Sequence, residues 1–253
     1  MLIQYCSDLH LEFPDNKNFL LRKPIEPKAE VLVLAGDIIP FAVLDKHQDF
    51  VTYLSDYFKI VFWIPGNHEY YYSDIKERTG SFEEKIKDNV FLLNNKVKVI
   101  ENTELIFSTL WSHISEDKRF LIQQSLSDFR VIKNGNRIFN TEDYNSLHRE
   151  NLNFLKKELI YKSTGKRIVV THHVPTLLHY PEQYKDSIIN EAFAVELYDV
   201  IENAEIDFWI YGHHHSNTED FLIGKTKLLT NQLGYVKHGE NIGFRNDAVI
   251  DVL

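Results

Sequence analysis

The chain has 253 residues, is 43% hydrophobic and 26% charged, and carries a formal net charge of −9. Its apolar content excludes a disordered polymer, and its length suits one α/β domain over residues 1–253 better than two small ones. The acidic balance disfavours a dedicated nucleic-acid binder, because Lys and Arg grip phosphate backbones, but it leaves room for a small phosphorylated substrate held by local charge.

The N-terminus has neither the basic stretch nor the small-residue cleavage pattern of an export leader. Leu2–Cys6 reads as a buried strand that ends in Ser7-Asp8-Leu9-His10. Cys6 is the only cysteine, so no intrachain disulfide can form, which points to a reducing compartment such as the cytoplasm. Residues 31–35 form a second apolar run, ending in Gly36-Asp37. Leu44, His47, Val51, Leu54 and Phe58 recur at helical spacing, with His47 packed or capped on the inner stripe. Residues 60–64 form a third run, ending in Pro65-Gly66-Asn67-His68-Glu69. Tyr70, Tyr71 and Tyr72 follow, an aromatic patch that packs the loop or stacks on a ligand ring. A helix is expected over 73–88.

Residues 108–140 mix helix and loop signals and suit an insertion or lid, with a helix over 117–126; His113 there could line a site. Thr141 can cap a helix that carries Glu142 and Asp143 in its first turn, His148 packed, and Leu152, Leu155 and Leu159 facing inward. Residues 168–170 form a fourth run, leading into Thr171-His172-His173. His179 and Tyr180 read as loop, with rimming of a pocket as the alternative. Asn190 can cap a helix with Phe193, Leu197 and Ile201 facing inward. Phe208–Tyr211 is a fifth run, leading into Gly212-His213-His214-His215. Strands over Phe221–Ile223, 227–230 and 248–253 complete the pattern. The Lys156-Lys157 and Lys166-Arg167 pairs read as solvated surface. No apolar run approaches the roughly 20 residues of a membrane span, and nothing sets an oligomeric state.

Alternating strands and helices predict mostly parallel pairing, and ligands of open α/β sheets gather beyond the carboxyl ends of the strands. All five polar clusters stand at such ends. Two divalent metals about 3.5–4 Å apart need imidazole and oxygen donors, a carboxylate between them, and open positions for water. Asp8, His10, Asp37, Asn67, His172, His213 and His215 offer that set, which suits manganese, iron or zinc better than magnesium or calcium.

Singly these motifs are ordinary turn chemistry; their order is not. The blocks Asp8-Leu9-His10, Gly36-Asp37, Gly66-Asn67-His68-Glu69, His172 and Gly212-His213-His214-His215 resemble the signature of the calcineurin-like metallophosphoesterase superfamily. The resemblance implies a four-layer α/β/β/α sandwich of two mixed β-sheets flanked by helices. It also implies two divalent metals, one on Asp8, His10, Asp37 and His215, the other on Asp37, Asn67, His172 and His213. Asn67 and His68 would meet the substrate, and His68 would assist the leaving group while a hydroxide bridging the metals attacks a phosphate mono- or diester. On a strand end adjacent side chains diverge, so His173 and His214 should point away from the metals. Pro40 stands where purple acid phosphatases carry a tyrosine ligand, and the Asp-Arg-Gly of Ser/Thr protein phosphatases is absent. The rival readings are a non-catalytic metal-binding scaffold for protein interaction and a nuclease.

Overall fold

The computed structural model describes residues 1–252. In chain order its elements are β1 (Leu2–Cys6), α1 (Pro14–Arg22), β2 (Val31–Leu34), α2 (Gln48–Tyr57), β3 (Ile60–Trp63), β4 (Phe82–Lys87), β5 (Val90–Asn94), β6 (Lys96–Ile100) and β7 (Thr103–Ser108). There follow α3 (Arg119–Ser125), α4 (Asp128–Val131), the small hairpin β8 (Lys133–Asn134) and β9 (Arg137–Ile138), and α5 (Thr141–Ile160). The chain closes with β10 (Lys166–Thr171), α6 (Tyr198–Asn203), β11 (Phe208–Tyr211), β12 (Phe221–Ile223), β13 (Thr226–Thr230) and β14 (Val249–Asp251).

Two six-stranded sheets form, ordered β14-β1-β2-β3-β5-β4 and β12-β13-β11-β10-β7-β6. In each, the four inner strands are parallel and both edge strands antiparallel. The period-2 alternation of a strand explains the layering. Val31 and Val33 of β2 turn into the interface between the sheets, beside Ile3, Phe62, Phe107, Ile168 and Val170. Leu32 and Leu34 turn outward to meet Leu20 of α1 and Leu54 of α2. On the far side, Ile106, Val169 and Trp209 meet Leu155 of α5 and Ile201 of α6. The product is the expected α/β/β/α sandwich. Burying each large aliphatic side chain contributes roughly 2 kcal/mol.

Parallel neighbours end at the same level, which brings the polar clusters together. The Asp8 N–H donates to the Gly36 carbonyl at 2.9 Å, and the His10 N–H to the Asp37 carbonyl at 3.0 Å. In the second sheet the Gly212 N–H donates to the His172 carbonyl at 3.0 Å. The sheets join at these ends, where the His213 N–H donates to the Asp8 carboxylate at 3.1 Å.

Several expected elements differ. The helix over 73–88 is instead a short helical turn at Ile75–Arg78 followed by β4. Alternating side chains pair β4 with β5, and that edge pairing overrides local helix propensity. The Thr141 cap shifts by one residue: Asn140 accepts from the Asp143 N–H and Asp143 from the Asn140 N–H, a reciprocal capping box. Asn190 opens only a single turn, Asn190–Ala192, and the helix begins at Tyr198. Helix α1 and the run β5, β6, β7 add to the elements expected from sequence. The strand expected over 248–253 forms over Val249–Asp251, with Leu253 outside the described residues. His47 is packed, not capped. Residues 108–140 build a satellite core in which Trp111, Ile122, Phe129 and Phe139 pack on Tyr144 of α5. Among the described residues, no helix is long and apolar enough to cross a membrane.

Arg167, read as surface, is 1% exposed and paired with Glu104 on the neighbouring strand β7. Removing one partner of such a pair strands a buried charge. Glu104→Ala should therefore lower the unfolding free energy by about 3 kcal/mol in a urea titration; a loss below about 1 kcal/mol, the range of exposed pairs, would contradict this burial.

Candidate metal centre

Two clusters of donor atoms face each other across Asp37. Asp8, His10, Asp37 and His215 form the first, and Asp37, His172 and His213 the second. Asp37 serves both: its Oδ2 lies 3.7 Å from His10 Nε2 and its Oδ1 lies 3.4 Å from His172 Nε2. The inward ring nitrogens of His10 and His215 stand 2.9 Å apart, and those of His172 and His213 3.0 Å apart. Asp8 Oδ1 lies 3.4 Å from His215 Nε2, and Asn67 Oδ1 lies 3.3 Å from His172 Nε2. All seven residues expected as ligands thus meet.

Each histidine has its other ring nitrogen tied outward. His10 Nδ1 faces Glu12 at 3.2 Å, His172 Nδ1 the Ala35 carbonyl at 2.9 Å, His213 Nε2 the Ala192 carbonyl at 3.2 Å, and His215 Nδ1 Glu240 at 2.8 Å. An acceptor on one nitrogen keeps the proton there and leaves the inward nitrogen as a lone pair, the arrangement characteristic of metal-binding imidazoles. The donor set and its second layer therefore fit a pair of divalent ions.

The backbone is shaped to the same end. Asp8, His10, Asp37, His213 and His215 all have positive φ, between 48° and 81°, a region L-residues seldom adopt. A Cβ on Gly66 would overlap the Asp37 carboxylate and the His172 ring, so only glycine allows that approach. Glu69 locks the loops after β2 and β3 together. It accepts the N–H groups of Asp37 at 2.8 Å, Ile38 at 2.7 Å and Gly66 at 2.7 Å, and the Trp63 indole N–H at 3.0 Å. Burial and the nearby Asp37 push its pKa up to about 7; all four partners are donors, so the ionised form is the one this setting fits.

His68 stands beside the first cluster. Its Nδ1 is 2.9 Å from Glu12 Oε1, its Nε2 is 3.3 Å from the Tyr235 hydroxyl, and its ring stacks on Tyr71 with centroids 4.0 Å apart. A cavity of about 320 Å³ opens here, bordered by Asn67, His68, Tyr71 and Asp128. His173 turns away, packing on Trp111 and on the His213 ring, and His214 Nδ1 faces Gln232 at 2.9 Å. His113 is exposed and lies against His148, outside the cavity. His179 packs on Phe221, whereas Tyr180 does border the cavity.

Glu12, Glu240, Tyr235 and Asp128 also belong to the site, though none of the motif blocks in the sequence contains them. Glu12 had a signal, since it continues the alternation Asp8, His10, Glu12. The others lie in stretches with no metal-ligand spacing and join the site only through the fold.

The profile of the calcineurin-like phosphoesterase family matches residues 1–217. An uncharacterised protein, L509, of Acanthamoeba polyphaga mimivirus is 33% identical, over 99% of this chain and 96% of its own. Among solved structures, a phosphopantetheinyl hydrolase from Mycobacterium tuberculosis superposes with a TM-score of 0.66 at 15% identity, covering 93% of this chain and 90% of that one. A dimetal phosphatase from Danio rerio gives a TM-score of 0.50 at 15% identity, covering 92% and 87%. The five motif blocks, the two mixed sheets and the profile match agree: the chain belongs to the calcineurin-like phosphoesterase family.

Proposed function

We propose that this chain holds two divalent transition-metal ions and hydrolyses a phosphate ester of a small molecule. The observation that carries the reading is the outward tethering of four histidines around Asp37, which aims four ring nitrogens inward, each able to bind a metal once free of its proton. Asp8, His10, Asp37 and His215 would hold one ion, and Asp37, Asn67, His172 and His213 the other. Manganese, iron and zinc all suit these donors. The family match supports a dinuclear centre, as does the likeness in fold to a protein described as a dimetal phosphatase. When bound, the ions supply positive charge for phosphoryl oxygens and a water of lowered pKa.

The chain's own groups arrange the rest. Asn67 and His68 border the cavity where the ester would sit. Glu12 accepts the proton of His68 Nδ1, which leaves Nε2 directed toward Tyr235 and the cavity. Tyr71 fixes the plane of the ring by stacking. In the metal-free protein burial lowers the His68 pKa, but Asp37 and Glu12 outweigh it and hold it above its usual value; with Asp37 taken up by ions, Glu12 on Nδ1 would be the partner that keeps a proton on the ring for the leaving oxygen. The wiring of His68 favours catalysis over a scaffold role. The single cysteine fits a reducing compartment such as the cytoplasm. Metal-reconstituted protein should hydrolyse members of a panel of phosphomonoesters, phosphodiesters and nucleotides; inactivity on all of them with both ions bound would overturn the proposal.

His68→Ala should keep both ions and reduce kcat about 100-fold for an alkyl ester. The loss should shrink for a p-nitrophenyl ester, whose leaving group needs no proton. Equal losses on the two esters, or loss of metal, would remove His68 as the acid.

Metal binding should also release protons. Burial lowers the pKa of His172, yet Asp37 raises it to about 9; burial lowers that of His215, yet Asp8 and Glu240 raise it to about 10. Both pKa values exceed the unfolded value of about 6.5, so these charges stabilise the metal-free fold fully below pH 6.5 and cease to do so as pH rises through about 9 and 10. Metal affinity follows the opposite course and climbs across that window. Calorimetry at pH 7 in buffers of different ionisation enthalpy should show release of at least two protons, one from each of these rings, with any ionisation of a bound water adding to them. Proton-neutral binding would contradict the ligand assignment.

A further inference from the structure

The cavity beside His68 carries a charge pattern that selects among phosphate esters. Among its described lining residues none is Lys or Arg, whereas Asp128 and Glu240 add carboxylates beyond the proposed ligands. Glu240 is spoken for by His215 and by the Tyr235 N–H. Asp128 is 4% exposed, accepts the Tyr71 hydroxyl at 3.0 Å, is also met by the Asn67 side chain and by the charge of His68, and starts α4 in the stretch 108–140, outside every ligand block. Apart from Asn190 and the histidines, the rest of the wall is supplied by serines and by apolar or aromatic side chains, among them Leu126, Tyr180 and Phe193.

A phosphomonoester near neutral pH brings up to two negative charges, and a nucleoside polyphosphate more. Such substrates are usually met by an Arg or Lys clamp on the oxygens that the catalytic centre does not take. This wall offers a carboxylate and, among its described residues, no Lys or Arg. A phosphodiester brings one charge and a second ester arm, and an apolar, hydroxyl-lined wall suits that arm if it is uncharged. Repulsion of the wrong substrate is as effective in selection as attraction of the right one.

We infer that the substrate is a singly charged phosphodiester with an uncharged arm lying along this wall, and that Asp128 is the residue that rejects dianionic monoesters and polyphosphates. The inference rests on the phosphoesterase reading above. The test compares bis(p-nitrophenyl) phosphate with p-nitrophenyl phosphate on metal-loaded protein, and dimethyl phosphate with methyl phosphate by calorimetry. The native protein should favour the diester at least about tenfold in kcat/KM, and should bind dimethyl phosphate more tightly than methyl phosphate. Asp128→Asn keeps an acceptor for Tyr71 and should narrow the diester preference by about tenfold, chiefly by lowering KM for the monoester. Ser127→Arg, an exposed change on the same wall, should narrow it too by adding a cation. A native preference for the monoester, in turnover and in binding, would overturn the inference and leave the phosphoesterase reading intact. A diester preference unmoved by both variants would overturn the role of Asp128. Hydrolysis of neither ester with both ions bound would sink the phosphoesterase reading and this inference with it.

Discussion

Burying a carboxylate between two β-sheets is unfavourable by several kcal/mol unless its charge is met, and the Asp37 side chain is only 2% exposed. The fold meets that demand from both sheets at once. Oδ2 faces His10 at the end of β1, while Oδ1 faces His172 at the end of β10 and accepts the His68 N–H at 2.9 Å. Burial would raise its pKa, but the histidines outweigh burial and hold it well below the usual carboxylate range. In the metal-free protein, protons on the rings balance the charge; in the proposed state, divalent ions do so. The same geometry serves both, because the tethered imidazoles offer their inward nitrogens to either.

Holding the donors in place strains the chain where it leaves the strands. Five of the seven proposed ligands sit at positive φ, each costing on the order of 1–3 kcal/mol. The sandwich beneath them offsets this with interface side chains such as Val33, Phe107 and Val170, all fully buried. The division of labour is physical. Parallel strands fix the level at which the clusters emerge, Glu69 fastens two of the loops to each other, and Glu12 and Glu240 orient rings from outside. Asp128 and residues of the 180–193 loop border the cavity beside the proposed ions.

Much of this was legible before any coordinates, and the reason is specific. A buried strand that stops at a ligand residue leaves a mark in sequence, because apolar runs and polar tips must abut. Asp8, Asp37, Asn67, His172 and the paired His213 and His215, which the fold gathers into one site, all stand out in that way. The run β5, β6, β7 left a weaker mark, since its strands end in Asn94, Ile100 and Ser108 and carry no chemistry of their own. The helix expected over 73–88 failed because charged side chains alternating on an edge strand look helical when the partner strand is unseen. Arg167 was read as surface because Glu104, which pairs with it, lies 63 residues away. Tyr235, Glu240 and Asp128 reach the site only by tertiary folding, and no local pattern could have named them.

The central claim is that Asp37 joins two ions, each held by residues from both sheets. Diffraction from manganese-loaded crystals on either side of the metal absorption edge tests it directly. The account predicts two anomalous peaks about 3.5–4 Å apart, one against Asp8, His10 and His215, the other against Asn67, His172 and His213, with an Asp37 oxygen bound to each. One peak alone at saturating metal, or two peaks that leave Asp37 uncoordinated, would contradict it.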